Sequence, residues 1–210
     1  MSVMPFRIRK RWLFGILLVL LCIVLSFNKV IITTIFPGQQ VASLKKVDAP
    51  SWIDEQYITS PSLARSGKSL TAIRDVVIHY VGNPGTTAQQ NRDYFNTPTT
   101  TVSSHFIIGL DGEIIQTMPL HEMSYATNWR NNDTISIEVT HPDASGKFTE
   151  ASYDALVRLT AWLLHSANLS SDNVIRHYDV TGKLCPLYYV ENEDAWLQLK
   201  ADIHTAYEAI

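Results

Sequence analysis

The stretch DTISIEVT, residues 133–140, sets Ile135, Ile137 and Val139 against Ser136, Glu138 and Thr140 in strict alternation. A period of two belongs to a β-strand with one apolar and one polar face, and a helix cannot gather such residues onto a single side. Other segments carry strand patterns too. DVVIHYV (75–81) is a β-branched run and reads as a buried strand. HFIIGL (105–110) and EIIQTM (113–118) read as a hairpin closed by the two-residue turn Asp111-Gly112. VIRHYDV (174–180) gives one more short strand.

Helical patterns lie between and after these strands. Thr87 to Phe95 is one. Thr149 caps another over about 150–167, with Tyr153, Leu156, Val157, Leu163 and Leu164 on one face. From Glu193 onward, Trp196, Leu199, Ile203, Tyr207 and Ile210 recur at helical spacing. Residues 51–72 read as irregular, broken by Pro61, Ser62 and Gly67. Strands and helices that interleave in this way predict an α/β fold: a central mixed β-sheet flanked by helices.

The N-terminal part has a different character. Residues 1–36 hold five basic side chains (Arg7, Arg9, Lys10, Arg11, Lys29) and no acidic one. Of 17 basic and 20 acidic residues, the remainder keeps 12 and 20, a formal charge of −8. So acidic a body excludes nucleic acid as a partner, since phosphate demands clustered Lys and Arg. LFGILLVLLCIVLSF follows the basic start without a charge, and VIITTIF prolongs it past Asn28 and Lys29. A spanning helix needs about 20 apolar residues, which this stretch supplies if Lys29 snorkels to the far headgroups. The expected organisation is a basic cytoplasmic segment (1–11), a transmembrane signal anchor (12–36), a polar linker (37–50) and one domain (51–210). Basic residues stay on the cytoplasmic side, which places that domain outside a cell membrane crossed once. The alternative is a cleaved signal peptide and a secreted domain, although no small-x-small cleavage site follows Phe27.

The chain has two cysteines, Cys22 and Cys185. Outside the cytoplasm a disulfide would be expected, but Cys22 falls within the expected span and cannot reach Cys185. Cys185 is therefore either buried and inert or held as a thiolate by a metal. His79, Glu138 and His177 all close apolar strand patterns, and in open α/β sheets functional groups gather beyond strand ends. Two histidines and a cysteine form a ligand set for Zn2+ that leaves a fourth position open. Glu138 suits a general base, and Lys183, two residues before Cys185, suits a cation facing an oxyanion. His121, His141, His165 and His204 read as ordinary surface or helix residues, and Asp179 as a residue that orients its loop. Trp129, Arg130 and Asn131 line a groove or form a plain exposed loop.

Taken in order, VVIHYVGNPGT, SSHFIIGLDGEIIQ, ISIEV and HYDVTGKLCP resemble the zinc-dependent N-acetylmuramoyl-L-alanine amidases, the family whose fold is shared by peptidoglycan recognition proteins and the phage lysozyme-type amidases. The resemblance covers about residues 51–205. It implies hydrolysis of the amide between N-acetylmuramic acid and the L-alanine of the stem peptide, with peptidoglycan as substrate. It places the zinc ligands on His79, His177 and Cys185, the catalytic acidic residue on Glu138 and the catalytic lysine on Lys183. Tyr125, Asn128 and Trp129 are the expected substrate contacts, and His105, which abuts the site in the motif, is either a further contact or a structural residue. Two positions depart from the pattern. Ser104 stands where the phage branch has tyrosine, and SYAT stands where many relatives read WHAG, with Tyr125 in the place of the histidine. A second function class, a peptidoglycan-binding module without catalysis, would be expected to lack a ligand, and here none is missing.

Overall fold

The computed structural model describes residues 37–210, together with Val19 and residues 21–25. Six strands are present among these residues: β1 (Asp54–Glu55), β2 (Asp75–Tyr80), β3 (Phe106–Ile108), β4 (Ile114–Gln116), β5 (Thr134–Val139) and β6 (Val174–Arg176). The helices are α1 (Pro37–Leu44), α2 (Ala88–Phe95), α3 (Glu150–Ser166), α4 (His177–Thr181), α5 (Leu187–Glu191) and α6 (Glu193–Glu208). The strands form one sheet in the order β1-β4-β3-β5-β2-β6. Only β3 and β4 run antiparallel, and every other pair is parallel. The expected mixed sheet flanked by helices is therefore what the chain adopts.

The two faces of the sheet differ. Val76, Ile78, Phe106, Ile108, Ile135, Ile137 and Val139 point to one side, where they pack with Leu156, Leu159 and Leu163 of α3 and Trp196, Leu199 and Ile203 of α6. Each fully buried aliphatic side chain there contributes roughly 1.5–3 kcal/mol. A smaller cluster lies on the other side: Ile107, Ile115 and Met118 against Ala88 and Phe95 of α2. Next to it the same face turns polar, with Ser136 and His79 buried among the strands.

Local signals fix the helix starts. Thr149 accepts the Ser152 N–H at 3.0 Å, and its hydroxyl donates to the Leu110 carbonyl at 2.6 Å, tying the start of α3 to the hairpin. Thr87 and Gln90 form a reciprocal capping box at the start of α2. The hairpin turn sits one residue earlier than expected. Gly112 N–H donates to Gly109 O, so Leu110 and Asp111 are the central pair and Gly112 follows in the left-handed region at φ 82°. A Cβ on Gly112 would lie 2.7 Å from the Ala151 carbonyl oxygen, so α3 packs where only glycine fits.

Two further expectations are corrected. The strand expected over 174–180 stops at Arg176, because the Asp179 carboxylate accepts the Arg176 N–H at 2.8 Å and caps a helical turn instead. Residues 37–50, expected as a polar linker, begin with α1. Val41 and Leu44 lie three apart on one face of it and are buried, while Gln40 donates to the Ala167 carbonyl at 2.6 Å. The expected span, residues 12–36, lies outside the described residues apart from Val19 and residues 21–25. Among the described residues no helix is long and apolar enough to cross a membrane.

Candidate metal centre

β2 delivers His79 one residue before its end, paired in register with Glu138 on the parallel neighbour β5. Neighbours in register point the same way, so both side chains leave the apolar core behind and face the polar side. His177 is the first residue of α4, directly after β6, which flanks β2 on its other edge. Gly182 in the left-handed conformation ends α4 and turns the chain back. The Tyr178 N–H then donates to the Cys185 carbonyl at 2.9 Å, which fastens the returning loop onto the helix.

The result is a cluster of His79, His177 and Cys185, all buried, whose nearest ligand atoms lie within 4.8 Å of one another. Cys185 Sγ lies 3.9 Å from His79 Nδ1, and the two imidazole centroids are 4.7 Å apart. Tetrahedral zinc with its usual bond lengths would set such atoms about 3.5 Å apart, so the spacing is close to what a bound ion requires. The second sign is an orphan. His177 Nδ1 is buried with no hydrogen-bond partner, while Nε2 of the same ring lies 2.8 Å from Asn128 Oδ1. A buried bare nitrogen is costly unless something binds it. Two neutral imidazoles and a cysteine thiolate are also a donor set zinc prefers, so the residues present fit the ion.

The electrostatics agree. Burial holds His79 well below the ordinary imidazole range, aided by His177 and Lys183, and burial with Lys183 lowers His177. Both rings are thus neutral near neutral pH, with lone pairs available. Burial first, then the charge of Glu138, pushes the Cys185 thiol up to about 12, against the pull of the Tyr80 backbone and Lys183. Without a cation this sulfur keeps its proton, and a divalent ion would displace it. Glu138 is half-buried as a residue, but its Oε2 is closed off and unpartnered. Burial pushes its carboxyl up to about 8, with Lys183 opposing. Lys183 is exposed at the mouth and acts on all four groups through its charge.

The expected substrate contacts divide. Trp129 stands out at 68% exposure and Tyr125 is half-buried, both on the segment leading into β5. His105 has the surroundings of a structural residue: it is fully buried, its Nδ1 accepts the Ser136 N–H at 3.1 Å, and its Nε2 meets the Glu122 carbonyl at 2.8 Å. Both ring nitrogens are occupied by backbone, so it braces β3 against β5 and offers nothing to a ligand. Asn128 is corrected in role, because its carboxamide oxygen is directed at His177. Arg130 pairs with Asp75 and Asp133 at 2.7 Å each, a brace and not a groove lining. Ser104, in the tyrosine's place, is buried, and its hydroxyl donates to the Phe106 carbonyl.

Residues 69–187, a segment that contains all three ligand candidates with Glu138 and Lys183, match the family model described as N-acetylmuramoyl-L-alanine amidase. N-acetylmuramoyl-L-alanine amidase CwlL of Bacillus licheniformis is 26% identical over 155 residues, covering 66% of this chain and 42% of the relative. XlyA of Bacillus subtilis (strain 168) is 31% identical over 157 residues, covering 72% and 50%. The chain thus spans half or less of the length of these curated relatives. The solved catalytic domain of XlyA superposes with a TM-score of 0.63 at 28% identity, covering 72% of this chain and 98% of that one. PlyL, at 21% identity and a TM-score of 0.65, covers 73% and 98% and shows the same fold.

Proposed function

The chain belongs to the N-acetylmuramoyl-L-alanine amidase family, and from that premise we propose that it is a zinc hydrolase cutting the amide between N-acetylmuramic acid and L-alanine in peptidoglycan. The observation that carries this reading is the convergence of His79, His177 and Cys185 with one ring nitrogen left bare inside the cluster. When bound there, zinc supplies Lewis acidity that polarises an amide carbonyl and acidifies water.

The chain's own groups do the remaining work. His79, His177 and Cys185 would hold the ion. Glu138, in register with His79, takes a proton from the attacking water at its carboxylate and passes it to the leaving amide nitrogen. Its raised pKa leaves it poised near neutrality, and the positive charge of Lys183 keeps the ionised form within reach. Lys183 stabilises the negative oxygen that forms on the substrate carbonyl.

Incubation of the protein with purified cell wall tests this. Stem peptides with free L-alanine amino termini should appear, a chelator should stop their release, and added zinc should restore it. Chelator-insensitive release, or wall binding with no cleavage, would refute the proposal.

We further propose that residues 12–36 hold the domain at the outer side of a cell membrane. The support is their apolar composition, in which Lys29 is the one charged residue, and the basic residues before them. Protease added to intact cells should remove the domain while sparing a cytoplasmic marker. A domain found free in the medium would favour secretion instead.

A further inference from the structure

We propose that Asn128 is a positioning residue that holds His177 in the tautomer able to ligate through Nδ1; the proposal rests on the metal reading above. A neutral imidazole carries one N–H, and the nitrogen without it is the one that can donate a lone pair. Asn128 Oδ1 lies 2.8 Å from His177 Nε2 and can only accept. That bond requires the proton on Nε2 and leaves Nδ1 bare. The reverse orientation of the carboxamide would push the proton onto Nδ1, which is buried and has no acceptor. Both ends of the ring therefore select the same tautomer.

The backbone is arranged for this contact. Asn128 has φ 54°, the left-handed region that asparagine tolerates better than other side chains with a Cβ. Its loop is tied down on both sides. Thr127 N–H donates to Asn131 Oδ1 at 2.6 Å, and the Thr134 hydroxyl donates to the Arg130 carbonyl at 2.7 Å. The Arg130 guanidinium reaches Asp75, the first residue of β2. Because β2 also carries His79, one strand sets the position of one ligand directly and of the other through Arg130 and Asn128.

The test uses two variants of the full-length chain in detergent. Asn128→Gly keeps the left-handed backbone and removes the acceptor. Asn128→Asp keeps an acceptor and tolerates the backbone. Zinc affinity, measured by competition with a chelator, should fall about 10–100-fold in Asn128→Gly and stay near that of the unmodified chain in Asn128→Asp. In nitrogen-detected NMR of the metal-free protein, His177 should be protonated at Nε2, and Asn128→Gly should show both tautomers. Equal zinc affinity in Asn128→Gly and the unmodified chain would overturn the proposal, as would an Asn128→Asp as weak as the glycine variant, or a proton found on Nδ1. Failure of the unmodified chain to take up zinc would overturn the metal reading beneath it, a result the tautomer measurement on metal-free protein keeps separate.

Discussion

The two faces of one strand, β5, were put to opposite uses. Ile135, Ile137 and Val139 point into a core that excludes water and asks for nothing beyond shape. Ser136 and Glu138, one residue out of step, point to the side where His79, His177 and Cys185 meet. The first face gathers apolar area and stabilises the fold. The second gathers buried polar atoms, among them Glu138 Oε2 and His177 Nδ1, which have no partners, and so costs stability for as long as nothing is bound. The same alternation that builds the sheet thus separates the residues that keep the chain folded from those that give it chemistry.

The sharpest way to break this division is to remove a ligand. His79→Ala should lose both zinc uptake, read by metal analysis, and stem-peptide release down to background, while circular dichroism reports an intact sheet. Loss of the fold along with the metal would mean that the polar face is structural after all.

Glu138→Gln comes next, with a fall of about 10²–10⁴ in hydrolysis rate and zinc content retained. It should also act on stability with a definite sign. The folded carboxyl sits at about 8 against an ordinary 4.5, so between those values the metal-free native state holds a proton that the unfolded chain has released. The resulting cost is absent below pH 4.5 and grows as pH rises to about 8, where it amounts to a few kcal/mol. The melting temperature of metal-free Glu138→Gln, minus that of the unmodified chain, should therefore increase between pH 5 and pH 8. A flat difference would show that Glu138 is not the buried group the geometry describes.

On the other face, Ile137→Ala should cost about 2–5 kcal/mol by denaturant unfolding and leave zinc affinity unchanged at temperatures where the protein stays folded. Coupling between the two would show that the faces are not independent. The smallest effect is expected at the exposed rim. Lys183→Ala should slow hydrolysis by about 10²-fold with no change in unfolding.

The sequence displayed both faces of β5 openly, because strand alternation is a local property of neighbouring side chains. The strand cores, the Thr149 cap and the short motifs that carry His79, Glu138, His177 and Cys185 were legible for the same reason, each resting on a few adjacent residues of distinctive chemistry. What escaped depends on distant partners. His105 occupies a strand start next to the site, and its letters are the same whether the ring faces a ligand or the Glu122 carbonyl. Asn128 read as a substrate contact, and only folding brings it to a ring 49 positions away. The helix α1 offered just two large apolar side chains, Val41 and Leu44, too few to signal docking, and the acceptor of Gln40 at Ala167 lies 127 positions further on.

That docked helix bears on how far the catalytic surface can travel. A free coil of 14 residues would let a tethered body wander about 20 Å from its attachment point. With Val41 and Leu44 sunk into the domain and Gln40 bonded to Ala167, that slack is largely taken up. On the proposal that the preceding residues lie in a bilayer, the domain would be held closer to the lipid than a free coil over 37–50 would allow.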